Sequence, residues 1–287
     1  MQNKTFFLAA LAFFALSVYM FIQTPSPLSD DYLSENRPIN VNELLNIVAN
    51  ENKVMRILYT EEIVTAGKKV GLNFSEYWQE PTIEAGPLPA LFLRETSNIL
   101  KKDPIPLGLF LGSDFPIAAS NAFEGIQMAK FAQIRQTSKP EYFYAADIGQ
   151  YTAMYPDYAI STTCTDCHNQ HPDSPKKDWQ LHDIMGATTW QYPHQFVTPG
   201  ELLKAIAAVR GAFRNAYQAY IDKTQTFERP PEIGEKWPRD GYKLPSADVF
   251  MQAFESKVSP TTVNAILATT KPETTSMTNN TNEHLLQ

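Results

Sequence analysis

Cys164-Thr165-Asp166-Cys167-His168 contains both cysteines of a 287-residue chain. Two thiols three residues apart, with a histidine directly after the second, form the attachment pattern of a c-type haem. In that reading Cys164 and Cys167 each add to one vinyl group of a single porphyrin. His168 is then held under the iron as proximal axial ligand. Plainer readings stand beside it. In an oxidising compartment the two thiols can pair as a disulfide or work as a dithiol redox couple. A structural zinc site needs four protein ligands, and His168 with one of His171, His182 or His194 would complete such a set. The restriction of cysteine to this pentapeptide is what makes the haem reading strong.

The whole chain sets bounds on this. A net charge of -7 and a pI near 5.3 argue against a nucleic-acid partner, which needs a basic footprint. The 43% hydrophobic and 12% aromatic content is that of a globular protein, and 21 prolines speak against a pure helical bundle. Lys4 precedes an uncharged apolar run from Phe6 to Ile22, about 17 residues and at the short edge of a membrane span. The run ends in bulky residues with no Ala-x-Ala after it, which favours an uncleaved signal anchor over a removed signal peptide. Lys4 places that end in the cytoplasm. The body is then extracytoplasmic, in the periplasm, on the inner membrane. Covalent haem attachment takes place on the same side in bacteria.

Residues 1–24 are thus read as signal anchor or signal peptide, and the proline-rich stretch 25–41 as a linker. A helix is predicted from Asn40 or Asn42 to about Ala66, with a stop at Gly67. Further helices are expected over 89–101, 122–136 and 201–222. Strands are expected at 107–111, in a hairpin of 142–145 with 151–155, and at 184–192. Helices and strands alternate without a βαβ rhythm, so the fold class is α+β with an antiparallel sheet. Residues 223–268 read as an extension packing on the domain, with short helices around 248–256 and 261–268. Residues 269–287, rich in Thr and Asn, read as a disordered tail.

Beyond the pentapeptide the chain continues Asn169-Gln170-His171-Pro172-Asp173-Ser174-Pro175-Lys176-Lys177-Asp178-Trp179, with Asp183 and Gly186 after it and Gly112-Ser113-Asp114-Phe115 upstream. This run resembles the Tll0287-like family of c-type haem proteins, also called DUF3365, over about residues 42–222. The resemblance implies a PAS-like antiparallel sheet flanked by helices, holding one haem c. It also implies a sensor or electron-transfer role, with a signalling or redox protein as partner. Members can carry a further cysteine in the N-terminal helices as second axial ligand. With no third cysteine, that ligand is ruled out here. His182 stands where the resemblance implies a glycine.

The second axial position is open at this level. Met55 and His182 lead, with Met128, Met154, Met185, His171, His194 and Tyr59 behind them. Met55 lies where the family's extra cysteine falls. His171 follows His168 too closely to reach the opposite face and suits a hydrogen bond to a propionate or to backbone. Lys176, Lys177 and Arg135 can pair with propionates or be ordinary surface charge, and Trp179 and Trp190 suit a core or a porphyrin face. No catalytic triad, phosphate loop or carboxylate pair stands out. The functional readings are a haem sensor or electron carrier, a haem enzyme with an open distal site for peroxidase or nitric-oxide chemistry, and a dithiol redox protein.

Overall fold

Asn40 starts the first long helix by accepting the backbone N–H of Asn42 on its side chain (2.9 Å), which satisfies one of the free donors of the first turn. A computed structural model of the chain describes residues 38–269, together with Phe6, Phe13, Phe14, Leu16 and Tyr19, which are helical and exposed. Most of the expected apolar run 6–22, the linker up to residue 37 and the tail after 269 lie outside the described residues, while 39–41 of the expected linker are in a strand and the start of a helix. Among the described residues no helix is long and apolar enough to cross a membrane, so the expected membrane helix is unsupported.

After the short strand β1 (Ile39–Asn40), helix α1 (Val41–Leu58) buries Leu44, Leu45, Val48, Met55 and Leu58. It does not stop at Gly67. It passes through a wider π-wound stretch, Tyr59–Thr65, where the Ala66 N–H reaches back to the Glu61 carbonyl, and then into α2 (Ala66–Lys69). The helical path ends before Gly71, whose φ of +95° is left-handed. Gly67 has a packing reason instead: a Cβ there would press on Leu72 and Phe74 at 3.1 Å.

Two short strands, β2 (Phe74–Ser75) and β3 (Gly86–Pro87), pair in the loop that follows, and α3 (Pro89–Leu100) leads into the sheet. Its strands are β4 (Gly108–Gly112), β5 (Glu141–Ala145), β6 (Gln150–Tyr158) and β7 (Ile184–Tyr192), all antiparallel in the order β4-β7-β6-β5. Alternation along each strand separates two cores. Ala153 and Trp190 face the main core shared with α1 and α3, while Met154 and Ala187 meet Phe131 and Ile134 of α4 (Gly125–Thr137) on the other face. Gly186 sits where β7 presses on β4. A Cβ there would lie 2.3 Å from the Gly112 carbonyl oxygen.

Past β8 (Phe196–Val197), which pairs with β1, the long helix α5 (Pro199–Thr224) opens with a reciprocal cap between Thr198 and Glu201. The strands β9 (Glu232–Gly234) and β10 (Lys243–Pro245) run parallel, and α6 (Ala247–Thr269) is the last element among the described residues. The two short helices expected near 248–256 and 261–268 are one helix with Pro260 inside it. Proline removes a helical hydrogen bond, but Phe250, Phe254, Val258 and Thr262 form one buried stripe across it, and packing carries the helix through. Glu51 of α1, fully buried, accepts from Arg210 Nε and Nη2 (2.8 and 2.6 Å) and from the Thr262 hydroxyl (2.6 Å). That cluster ties α1, α5 and α6 together.

Candidate functional site

The cysteine-bearing stretch is an excursion inside a hairpin. Strands β6 and β7 pair from Tyr151 opposite Tyr192 to Tyr158 opposite Ile184, with a register shift at Asp157/Tyr158. The chain then leaves the sheet and returns. The two ends are stitched at Ala159, whose N–H donates to the Asp183 carbonyl and whose carbonyl accepts the His182 N–H, both at 2.9 Å. Within the excursion lies the motif helix, Thr162–Gln170. Residues three and four apart share a face of a helix, and this places Cys164, Cys167 and His168 side by side.

Both cysteines are free and half-buried. Burial pushes the Cys167 thiol up, with Lys68 opposing and Glu76 and Cys164 adding to the shift. The Ser161 hydroxyl lies 3.6 Å from Cys164 Sγ. Burial holds the His168 imidazole below its ordinary value, with Asp157 acting against that and His171 with it. His168 Nδ1 is buried without a hydrogen-bond partner. A neutral imidazole is the form that ligates a metal. Two thiols on the same helical face suit a group with two thiol-reactive arms, and the residues present therefore fit a covalently attached metalloporphyrin.

The rest of the sequence motif holds this helix in place. Asn169 donates through Nδ2 to the Trp179 carbonyl (2.9 Å) and accepts the Trp179 N–H on Oδ1 (2.8 Å). Ser174 donates its hydroxyl to the Lys176 carbonyl (2.8 Å). Trp179 is buried beside Phe115, with Arg135 and Lys176 near its ring. Both ring nitrogens of His171 are engaged: Nε2 is 3.0 Å from Glu76 Oε1, and Nδ1 accepts the Asp173 N–H (3.2 Å). Of the cations singled out in the sequence, Arg135 is held by both oxygens of Asp114 (2.8 and 2.6 Å), Lys176 is paired with Asp178, and Lys177 is exposed.

The candidates for a second axial position are scattered. Met55 is wholly buried in the main core, and Tyr59 is fully buried with its hydroxyl donating to the Pro87 carbonyl (2.7 Å). Met154 lies in the core under α4, and Met128 is exposed. Met185 is half-buried, and its carbonyl accepts the Ser113 hydroxyl. His194 is exposed and edge-on to Tyr192. His182 is exposed, in the turn that closes the excursion, with a left-handed φ of +72°. That backbone explains why glycine suits the position. Trp190 is fully buried core. Among the described residues, no three or more of His, Cys, Asp and Glu are grouped to hold a metal ion, so the zinc set is not assembled. A groove of about 860 Å³ beside Ile105, Tyr192, His194 and Lys204 includes no residue of the motif helix.

Two residues the sequence did not single out belong to this site. Arg56 of α1 grips Asp157 with Nη1 to Oδ1 at 2.5 Å and Nη2 to Oδ2 at 3.0 Å, and its Nη1 lies 3.4 Å from the Thr188 hydroxyl. Burial opposes the Arg56 charge, but Asp157 outweighs it and raises the guanidinium pKa, with Cys164 adding to the rise. The one signal in the sequence is an arginine within the apolar run Val54–Leu58.

No curated protein and no solved structure gives a significant match to the chain. The model of the Tll0287-like family (Tll0287) matches residues 115–193, a shorter span than the 42–222 expected from the resemblance. It leaves α1 and α5 outside and takes in α4, β5, β6, the motif helix and β7. The stretch 115–193, with both cysteines, His168 and the Asn169–Trp179 clamp, is thus what the chain shares with the Tll0287-like family.

Proposed function

We propose that this protein binds a single c-type haem through Cys164 and Cys167, with His168 as proximal ligand. It uses that haem for electron transfer or for redox and ligand sensing on the exported side of a membrane. The observation that carries this reading is the shared helical face of Cys164, Cys167 and His168, with a buried His168 nitrogen that has no partner. The Tll0287-like match over the same stretch supports it. So does the antiparallel sheet with helices on both faces, which we read as PAS-like.

When bound, the haem supplies a one-electron couple at its iron. The chain's own residues do the remaining work. The motif helix fixes the spacing of the two thiols. Burial keeps the His168 imidazole neutral and available as a ligand. The Asn169–Trp179 clamp pins the end of the helix on which His168 sits. Trp179 is buried within the excursion with its ring edge-on to Phe115. For the second axial position we place His182 ahead of Met55. Withdrawing a wholly buried methionine from the core would open a cavity, at a cost of about 2–5 kcal/mol. The exposed His182 carries no such cost.

The test is expression of the full chain in a bacterial host that exports proteins and attaches haem. A pyridine haemochrome spectrum of the c type, and a mass gain of one haem that survives denaturation, is the expected result. A protein with unmodified thiols and no such spectrum would sink the proposal. Fractionation of the same cells tests the export and membrane attachment.

A further inference from the structure

We propose that the Arg56–Asp157 ion pair keeps two buried charges from biasing the reduction potential of the haem, each member cancelling the other, an inference that rests on the haem reading above. The pair bridges two elements that the sequence keeps far apart. Arg56 comes from α1, and Asp157 from the end of β6, at the register shift just before the chain departs into the motif helix. Both side chains are largely buried, with 18% and 14% of their surface exposed. Arg56 Nε is buried without a partner, so the guanidinium is not saturated by Asp157. The motif helix begins at Thr162, a few residues after Asp157 leaves the sheet, and the Asp157 charge favours protonation of His168 while Cys164 adds to the rise at Arg56. Other charges singled out around the motif helix are held in ion pairs, Arg135 with Asp114, Lys176 with Asp178 and Glu76 with His171, while Lys68 acts on Cys167.

Reduction adds one electron, and so one negative charge, to a haem iron. A buried charge nearby favours the oxidation state of complementary charge, because the surroundings screen it poorly. With both members present the Arg56–Asp157 pair is neutral and its effect is small. Removing either member alone leaves a bare charge of known sign where the chain leaves the sheet for the motif helix. Removing Arg56 leaves the Asp157 carboxylate, which favours the ferric state and lowers the potential. Removing Asp157 leaves the guanidinium, which favours the ferrous state and raises it. A role confined to holding the fold would destabilise the protein in both cases and would not give shifts of opposite sign.

The experiment is a potentiometric titration of the haem-loaded full chain as wild type, Arg56→Gln, Asp157→Asn, Arg56→Lys and the double variant Arg56→Gln/Asp157→Asn, with thermal melts alongside. The expected result is a lower potential for Arg56→Gln and a higher one for Asp157→Asn. The double variant and Arg56→Lys should both lie near wild type. If a single variant does not fold, Arg56→Lys and the double variant still test the idea, since either one far from wild type would overturn it. Equal potentials in all variants, or shifts of the same sign in the two singles, would also overturn it while leaving the haem reading intact. A wild-type protein without covalent haem would overturn both.

Discussion

The side-chain amide of Asn169 and the backbone of Trp179 are joined by two reciprocal hydrogen bonds, at 2.9 and 2.8 Å. One amide thus imitates a strand partner for a residue ten positions on, and closes the loop behind His168. Asn169→Ala removes both bonds from a half-buried site, a loss of about 1–3 kcal/mol. Denaturant melts of the wild type and the variant would measure it. Asn169→Asp keeps the acceptor but turns a carboxylate oxygen toward the Trp179 carbonyl, and should be no better than alanine.

Cys164→Ala or Cys167→Ala should each leave at most one covalent link, and the double variant none. Denaturing gels stained for haem peroxidase activity would show the loss. His168→Ala should keep the thiols but change the ferric spectrum to that of a haem without its proximal imidazole. An unchanged spectrum in that variant would remove His168 from the role.

His182→Gly separates two contributions of one residue. A left-handed backbone costs a non-glycine residue about 1–2 kcal/mol, while glycine's extra freedom in the unfolded chain returns up to about 1 kcal/mol of that. The variant should therefore be as stable as the wild type or slightly more so. If His182 is the second axial ligand, the same variant changes spin state. Met55→Leu should leave the spectrum as it is and cost less than about 1.5 kcal/mol, as a volume-conserving core change.

Gly186→Ala should be among the more damaging single methyl additions in the chain. Its Cβ would meet the Gly112 carbonyl oxygen at 2.3 Å, a backbone atom that cannot rotate away. Overpacking of this kind costs about 1–3 kcal/mol or more, and a shift of the thermal midpoint would record it. Gly211→Ala, where a Cβ meets nothing within 4 Å, is the control and should be neutral or stabilising.

The cap of α5 gives a pH dependence. The Thr198 N–H donates to the Glu201 carboxylate (2.8 Å), and the Glu201 N–H donates to the Thr198 hydroxyl (3.1 Å). The backbone bond from Thr198, and then its hydroxyl, hold the Glu201 carboxyl below its ordinary value. A depressed acid binds protons more readily unfolded than folded. Its contribution is therefore complete above the unfolded value of about 4.3 and fades as the pH falls through the lower folded value. Glu201→Gln should lose stability relative to wild type at neutral pH and close that gap as the medium is acidified. Urea midpoints across that range would check it.

The sequence made much of this legible, and the misses have physical causes. The hairpin of β5 and β6, the strand β7 and the helix α5 were readable because alternation and three-to-four spacing report directly on one buried face. Gly186 read as a weak point in its strand, since a local pattern cannot show that β4 passes within contact of it. The segment 248–268 read as short helices for the same reason: the stripe that carries one helix across Pro260 is visible only against α1 and α5. At the site, the two thiols and His168 stand out in the sequence by their spacing, and the motif helix carries them on one face. Arg56 and Asp157 were not, because their relation spans 101 positions and leaves no local trace.

The stitched ends at Ala159 have a consequence for how this stretch can vary. Because Ala159 is bonded to both His182 and Asp183, the sheet fixes where the excursion leaves and where it returns, whatever lies between. For a flexible loop, doubling the length adds only about 0.6 kcal/mol of closure cost. Insertions placed at Pro172 or Lys177, on the exposed side beyond His171, should thus be tolerated by the sheet. The same insertions between Cys164 and Asn169 would break the helical phase of the thiols. The hairpin makes the cysteine-bearing segment a cassette, replaceable at its rim and rigid only at its centre.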